Sequence, residues 1–458
     1  MQISRRMLLE AGAGGLAIGL PARSAASDNS NGPLQAQLRA ALADAGGADR
    51  PGAVARIQHG LTITEATSGL AEVELGVPLA ASQLFRIASI TKMFVAALIL
   101  RLAEQGRLAL DDPAARYIDG VSTPGITIRH LLNHTAGISS KPAVRQPGFS
   151  RRDTTIDAMI ADIVQRPLDF VPGSEQSYSN PGYILLGGVI EKITGQAWHQ
   201  ALDEQLLAPL GLTDTRFDDT GALIPGRVAG YTIAEDRPAN APFVSMTTVA
   251  SAGGLLSTVA DLTRWMALLA EGRVISPDSF SAMATPTAIA DKPPVDPYGF
   301  GLYIWRIRGE IALGHTGQVN GFASALAYLP RTRHVLAVLA NSDTFDARIF
   351  VRRMGAMAMN RPFPRVVAVP PPPAMLQSLP GAYGNNGTPM WTIIKEGPRL
   401  YAQRPGRNRI ALQMSSEGTL HFDPDALTFF RPLGSGKDMR LEYARDGEVP
   451  GTILTRIG

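Results

Sequence analysis

Residues 86–94 read RIASITKMF, and a long apolar run, MFVAALILRLAEQG, begins at Met93. The spacing of the apolar residues predicts a buried helix. Lys92 stands at its start, and Ser89, three positions earlier, falls on the same face about one turn away. A lysine is seldom buried without a partner, because its charge is costly to desolvate. The same cost lowers its pKa and turns it into a base for a neighbouring hydroxyl. The stretch is therefore either a nucleophile with its base or a surface helix with an ordinary solvated lysine. Of six lysines in the chain, only Lys92 follows a serine by three positions.

A serine activated by lysine needs two further parts: a proton shuttle for the leaving group and hydrogen-bond donors for the oxyanion. PGSEQSYSNPGY places Tyr178 and Asn180 at Tyr-x-Asn spacing in a loop before a helix. LGHTGQVNGF places His315, Thr316 and Gly317 on an expected strand, where a glycine lets a ligand approach the backbone closely. A second Tyr-x-Asn, Tyr383-Gly384-Asn385, lies far from these motifs and reads as a turn. His130 and His134 have the i, i+4 spacing of a zinc pair. The residues between them are Leu131, Leu132 and Asn133, so the glutamate base of a zinc hydrolase is missing. Both histidines are read as structural, with no metal and no cofactor expected. The chain has no G-x-S-x-G elbow, which leaves an ordinary α/β-hydrolase without support.

Composition narrows the class further. The 458 residues predict two or three units, and the net charge of +3 without a basic stripe argues against a nucleic-acid partner. With no cysteine, thiol nucleophiles and thiolate metal sites are excluded together. The N-terminal SRRMLLEAGAGGLAIGLPARSAAS carries paired Arg5 and Arg6 and ends in small residues near Ala26. It reads as a twin-arginine export signal over residues 1–26, which predicts a periplasmic protein. Its weakly apolar run falls short of the ~20 residues of a spanning helix, so no membrane span is expected in the mature protein.

Along the chain, LQAQLRAALADAG has helical periodicity, and GAVARIQHGLTITEATSG reads as two strands turning at His59-Gly60. ITIRHLLNHTAGI is expected as a helix stopped at Gly137, and Ser139 to Pro167 as a polar, arginine-rich surface excursion. NPGYILLGGVIEKITGQ and TVADLTRWMALLAEG are amphipathic helices, the second capped at Ser257/Thr258. Four consecutive prolines, Pro370–Pro373, predict an extended spacer that excludes helix or central strand. Beyond them, seven or eight short alternating segments broken by Gly, Pro, Asn and Asp predict a small antiparallel barrel. The expected organisation is a hydrolase domain over 33–360, a linker over 361–374 and the barrel over 375–458.

Ser89-Ile90-Thr91-Lys92, Tyr178-Ser179-Asn180 and His315-Thr316-Gly317 together resemble the three ordered motifs of the penicillin-recognising serine hydrolases. The flanks, among them SAGGLLSTVADLTRWM, are most similar to the class C β-lactamase branch, which includes DD-peptidases, D-aminopeptidases and esterases. The resemblance spans about Gly52 to Asn341, and the C-terminal segment resembles the lipocalin-like barrels appended to some members. It implies an α/β fold: an antiparallel sheet flanked by helices plus a helical region, with the cleft between them and a small barrel appended. It also implies roles. Ser89 would be acylated, Lys92 would be its base and Tyr178 would assist proton transfer. Asn180 would position Lys92 and the substrate amide, His315, Thr316 and Gly317 would line the substrate, and the N–H groups of Ser89 and Gln318 would form the oxyanion hole. The implied substrate is a small molecule or peptide, foremost an amide with D-configured residues. The alternatives are a carboxylesterase, and a β-lactamase or a penicillin-binding protein that acylates without turning over. The sequence sets no oligomeric state.

His315 departs from the lysine that many β-lactamases carry at this place, which disfavours a β-lactamase. If its imidazole holds a substrate carboxylate, binding should strengthen as it protonates near its unperturbed pKa of ~6.5.

Overall fold

The computed structural model describes residues 32–121, 125–141, 148–289, 297–364, 366–422 and 427–457. The paired arginines and the expected export signal lie outside the described residues. Among the described residues no helix is long and apolar enough to cross a membrane.

Six antiparallel strands form the central sheet. The hairpin at its one edge is β1 (Ala53–His59) and β2 (Thr62–Ser68), turning at Gly60 with φ 59°. The other four are β3 (Tyr303–Ile307), β4 (Glu310–Val319), β5 (Phe322–Leu329) and β6 (His334–Ala340), and the spatial order is β3-β4-β5-β6-β1-β2. Because successive side chains point to opposite faces, the sheet feeds two cores. On one face α1 (Pro33–Ala45) and a helix over Ala347–Ala358 bury Leu38, Leu42, Phe350 and Met354 against Ala55, Ile57, Ala325 and Val338. On the other face, Val54, Leu326 and Leu339 pack into a helical layer. That layer is built on α2 (Thr91–Glu104), α3 (Asn180–Thr194) and α4 (Val259–Ala270). Every residue of α2 from Thr91 to Leu100 is buried, so it is a central rod and not a surface helix. Phe94 stacks on Trp265 of α4 at 4.1 Å between ring centroids.

Three local expectations are corrected. The helix expected to reach Gly137 spans only Ile128–Leu132, because His134 takes φ 63° and turns the chain away. The arginine-rich excursion contains a helix over Ile156–Ile163, which buries Met159 and Ile163 in the core. In the proline run, Pro373 opens a short helix, Pro373–Ser378, with Pro372 at its N-cap. Proline suits this first position because its missing N–H would have no partner there anyway.

The C-terminal strands make a closed, eight-stranded antiparallel barrel. Consecutive strands from Gly381–Asn385 to Arg440–Ala444 pair in order, and the last, Thr452–Ile457, closes on the first. Strands Ile410–Ser415 and Leu420–Phe422 complete the circuit, and Ala368–Val369 adds an edge to the former. Its core is aromatic, with Trp391, Phe422 and Phe430 in mutual contact. The barrel touches the helix Ala347–Ala358 through Asp446, which pairs with Arg348 and Arg352.

Candidate active site

Four segments converge on Lys92. The chain enters α2 through a tight turn, Ala88–Ile90, in which Ala88 has φ 46°. This conformation is costly for a residue with a Cβ, so the neighbours must hold it. Ser324 Oγ on β5 donates to Ile87 O at 2.8 Å, and Ile87 N–H donates to Leu255 O at 3.0 Å. A Cβ on Gly317 would lie 2.2 Å from Ile87 O. Only glycine therefore lets β4 run this close to the turn that carries Ser89.

Lys92 is fully buried, and its Nζ lies 3.0 Å from Ser89 Oγ, 2.8 Å from Asn180 Oδ1 and 2.7 Å from Ala252 O. Desolvation pushes its pKa well below the usual lysine value. A neutral amine has two N–H groups and one lone pair. The carbonyl oxygens of Asn180 and Ala252 can only accept, so they take the two N–H groups. The lone pair is left to the Ser89 hydroxyl. This arrangement can remove the serine proton as the oxygen attacks. It also answers why a lysine opens an apolar helix.

Asn180 is the first residue of α3, whose N-cap Ser179 accepts from Gly182 N–H at 3.3 Å. Tyr178 precedes the cap, keeps 36% of its surface exposed and places its ring under Lys92 Nζ at 4.8 Å. Desolvation of its hydroxyl end raises the phenol pKa well above the usual value, and the hydrogen bond with Ser89 offsets this only in part. Its phenol therefore stays protonated and can act as a proton donor.

His315 on β4 is buried, and both ring nitrogens are engaged within the protein. Nδ1 donates to Thr316 O at 2.5 Å, which leaves Nε2 to accept from the Tyr298 hydroxyl at 3.1 Å. Burial pushes its pKa down to about 3. The histidine expected to gain a proton near pH 6.5 thus stays neutral, because desolvation outweighs its bond to Thr316. Gln318 extends its side-chain amide to Asp343 O at 2.8 Å, while its backbone continues β4 past Gly317.

A cleft of about 570 Å³ is lined by Ser89, Tyr178, Asn180 and His315 together with Asp343 and Asp346. Arg348 also borders it, but its guanidinium pairs with Asp446 of the barrel. The structure thus brings all three sequence motifs to one cleft. The second tyrosine motif is absent from it: Tyr383 is buried in the barrel, donating to Leu379 O at 2.9 Å. His130 and His134 part company too. His130 Nδ1 is 3.0 Å from Gly125 O, whereas His134 lies among Tyr178, Tyr183 and Tyr298. Apart from the polar residues at the end of an apolar run, no local pattern marked this separation.

A sheet and helical layer that hold a serine against a buried lysine define a serine hydrolase. The Beta-lactamase family model matches residues 38–355, and the chain belongs to that family. Penicillin-binding protein 4* of Bacillus subtilis (strain 168) is 27% identical over 80% of this chain and 86% of its own length. Esterase EstB of Burkholderia gladioli is 37% identical over a shorter region, 36% of this chain and 47% of the esterase. Among solved structures, a D-stereospecific amidohydrolase from Streptomyces sp. superposes with a TM-score of 0.60 at 29% identity, covering 69% of this chain and 96% of that one.

Proposed function

We propose that the protein hydrolyses small amides or peptides with D-configured residues through an acyl-enzyme on Ser89. The observation that carries the chemistry is the division of Lys92 Nζ between two carbonyl acceptors and the serine hydroxyl. Lys92 takes the Ser89 proton as Oγ attacks the substrate carbonyl. The N–H groups of Ser89 and Gln318 stabilise the oxyanion. Tyr178, a neutral phenol, gives its proton to the leaving amine and regains one from the protonated Lys92. Water then releases the acid by the reverse relay.

Charge supports this substrate class. The cleft lining includes the carboxylates of Asp343 and Asp346, which accept from Gly321 N–H and Ile349 N–H, while His315 is neutral and Arg348 is held by Asp446. Such a lining attracts the ammonium of an amino-acid amide more than the carboxylate of a β-lactam. The likeness to the D-stereospecific amidohydrolase supports the same reading. Carboxylester hydrolysis is the second reading, favoured by the identity to EstB. The reading includes export by the N-terminal twin-arginine segment to the periplasm, and a barrel that begins near residue 375 as a separate unit.

A panel of D- and L-phenylalanine p-nitroanilides, p-nitrophenyl acetate and nitrocefin, with intact-mass detection of the acyl-enzyme, tests it. The D-anilide is expected to turn over fastest. Faster nitrocefin hydrolysis would overturn the substrate class, and a persistent adduct without turnover would make the protein a penicillin-binding protein instead.

A further inference from the structure

We infer that His134 is the positioning residue for Tyr178, holding the proton relay in register with Ser89 and Lys92. The inference rests on the relay role of Tyr178 given above. Two backbone groups bracket that tyrosine, Ser177 N–H before it and Ser179 N–H after it. Both donate to the same residue: the first to His134 O at 3.0 Å, the second to His134 Nδ1 at 3.2 Å. The imidazole also packs on the Tyr178 ring, with centroids 4.5 Å apart. One side chain and its own carbonyl thus fix the backbone on both sides of Tyr178 and the face of its ring.

The local backbone explains how one residue reaches both groups. His134 has φ 63°, which ends the helix Ile128–Leu132 and turns its carbonyl and its side chain toward the same loop. The bond to Ser179 also dictates the tautomer. Nδ1 must be the acceptor, so the proton sits on Nε2. That Nε2 is buried without a hydrogen-bond partner among the described residues. The imidazole ring packs against those of Tyr298, at 4.5 Å, and Tyr183, at 5.2 Å between centroids. A buried polar atom left unpartnered costs stability. Phenylalanine or leucine would fill the space without that cost, but neither offers an acceptor to Ser179 N–H. The histidine is retained against its own burial because the loop needs the acceptor. A side chain serving only as packing would need neither Nδ1 nor its fixed tautomer.

The test compares isosteric amides. In His134→Asn the side-chain oxygen falls where Nδ1 sits; in His134→Gln it falls nearer the position of Nε2. Asparagine is expected to keep kcat within about fivefold of wild type, whereas glutamine and phenylalanine lower it by about 10–100-fold at nearly unchanged KM. The same changes are repeated in Tyr178→Phe protein, where the relay is already gone. There His134→Phe is expected to cost no more than about twofold, because residues acting as one unit are not additive. Equal losses in both backgrounds, or asparagine and glutamine variants of equal activity, would overturn the inference. A phenylalanine variant that fails to fold leaves the Asn–Gln pair to decide. If Tyr178→Phe alone retains full kcat, the relay role fails first and the positioning role with it.

Discussion

Tyr-x-Asn occurs at Tyr178-Ser179-Asn180 and again at Tyr383-Gly384-Asn385, and the two copies end in opposite surroundings. The first lies in a loop that becomes the N-terminus of α3, beside a buried amine and an open cleft. The second is the end of a barrel strand. Tyr383 there is fully buried, its hydroxyl spent on Leu379 O, and Gly384 is required because a Cβ would lie 1.9 Å from Thr388 O. Asn385 is exposed, and the hairpin turn that follows places Asn386 at φ 49° and Gly387 at φ 77°. Both tyrosines are neutral and packed against other groups, and both carry a pKa raised by desolvation. What separates them is a partner able to exchange a proton. Tyr178 has Ser89 and Lys92; Tyr383 has a carbonyl oxygen that can only accept.

The largest effect that can break this contrast falls on the amine itself. Lys92→Ala is expected to lower kcat/KM by roughly 10³-fold or more, nearly as much as Ser89→Ala, since the pair acts as one unit. A fluorophosphonate probe read by peptide mapping checks it. The adduct belongs on Ser89 in wild-type protein and is absent from both variants. Labelling of Ser89→Ala protein at wild-type level would remove the basis for ranking the first motif above the second.

Next in size is the exchange of one oxygen atom at each tyrosine. Tyr178→Phe is expected to lower kcat by roughly 10²-fold or more, as for loss of a general acid. Tyr383→Phe is expected to leave kcat/KM within about twofold and to cost about 1 kcal/mol of stability, because the buried carbonyl of Leu379 loses its donor. Steady-state kinetics beside thermal melts separates the two. Should Tyr383→Phe fall in activity with an unchanged melting curve, the barrel would have a part in catalysis.

Much of this layout was legible in the sequence for one reason: the relevant signals are periodic. Strand alternation marked β1 and β2 and the barrel, and the glycine-bearing motif marked the strand that carries His315. The apolar run marked α2, and the isolated lysine within it marked the site. The helix over Ile156–Ile163 was equally legible, since Ile156, Met159, Ile160 and Ile163 follow its spacing, but the surrounding arginines outweighed that pattern. The role of His134 was not legible. It depends on a positive φ and on a loop more than 40 residues away, and neither leaves a local pattern. The hold of Asp446 on Arg348 is of the same kind, since an arginine in sequence says nothing about which carboxylate the fold presents to it.

The smallest expected effect is a flat line. Were His315 to bind a substrate carboxylate through its charge, the ratio of KM for a carboxylate-bearing substrate to KM for a neutral ester would fall below pH 6.5. With its pKa held at about 3 and both nitrogens engaged by Thr316 O and the Tyr298 hydroxyl, it offers neither charge nor donor. That ratio is therefore expected to stay constant between about pH 5 and 8, where an unperturbed histidine would titrate. The same shift carries a stability consequence of definite sign. The folded state holds the imidazole neutral while the unfolded chain binds a proton near pH ~6.5. Stability from this group is thus complete above that pH and is lost as pH falls toward about 3. Buried His134, whose pKa is also lowered well below the usual value, acts in the same direction. Denaturant melts at pH 7.5 and 5 should accordingly show lower stability at pH 5, less so in His315→Gln, while the KM ratio does not move. A ratio that falls with pH while stability stays level would mean that the histidine opens to the cleft and protonates there, and the contrast between the two motifs would then have to include a fixed cation.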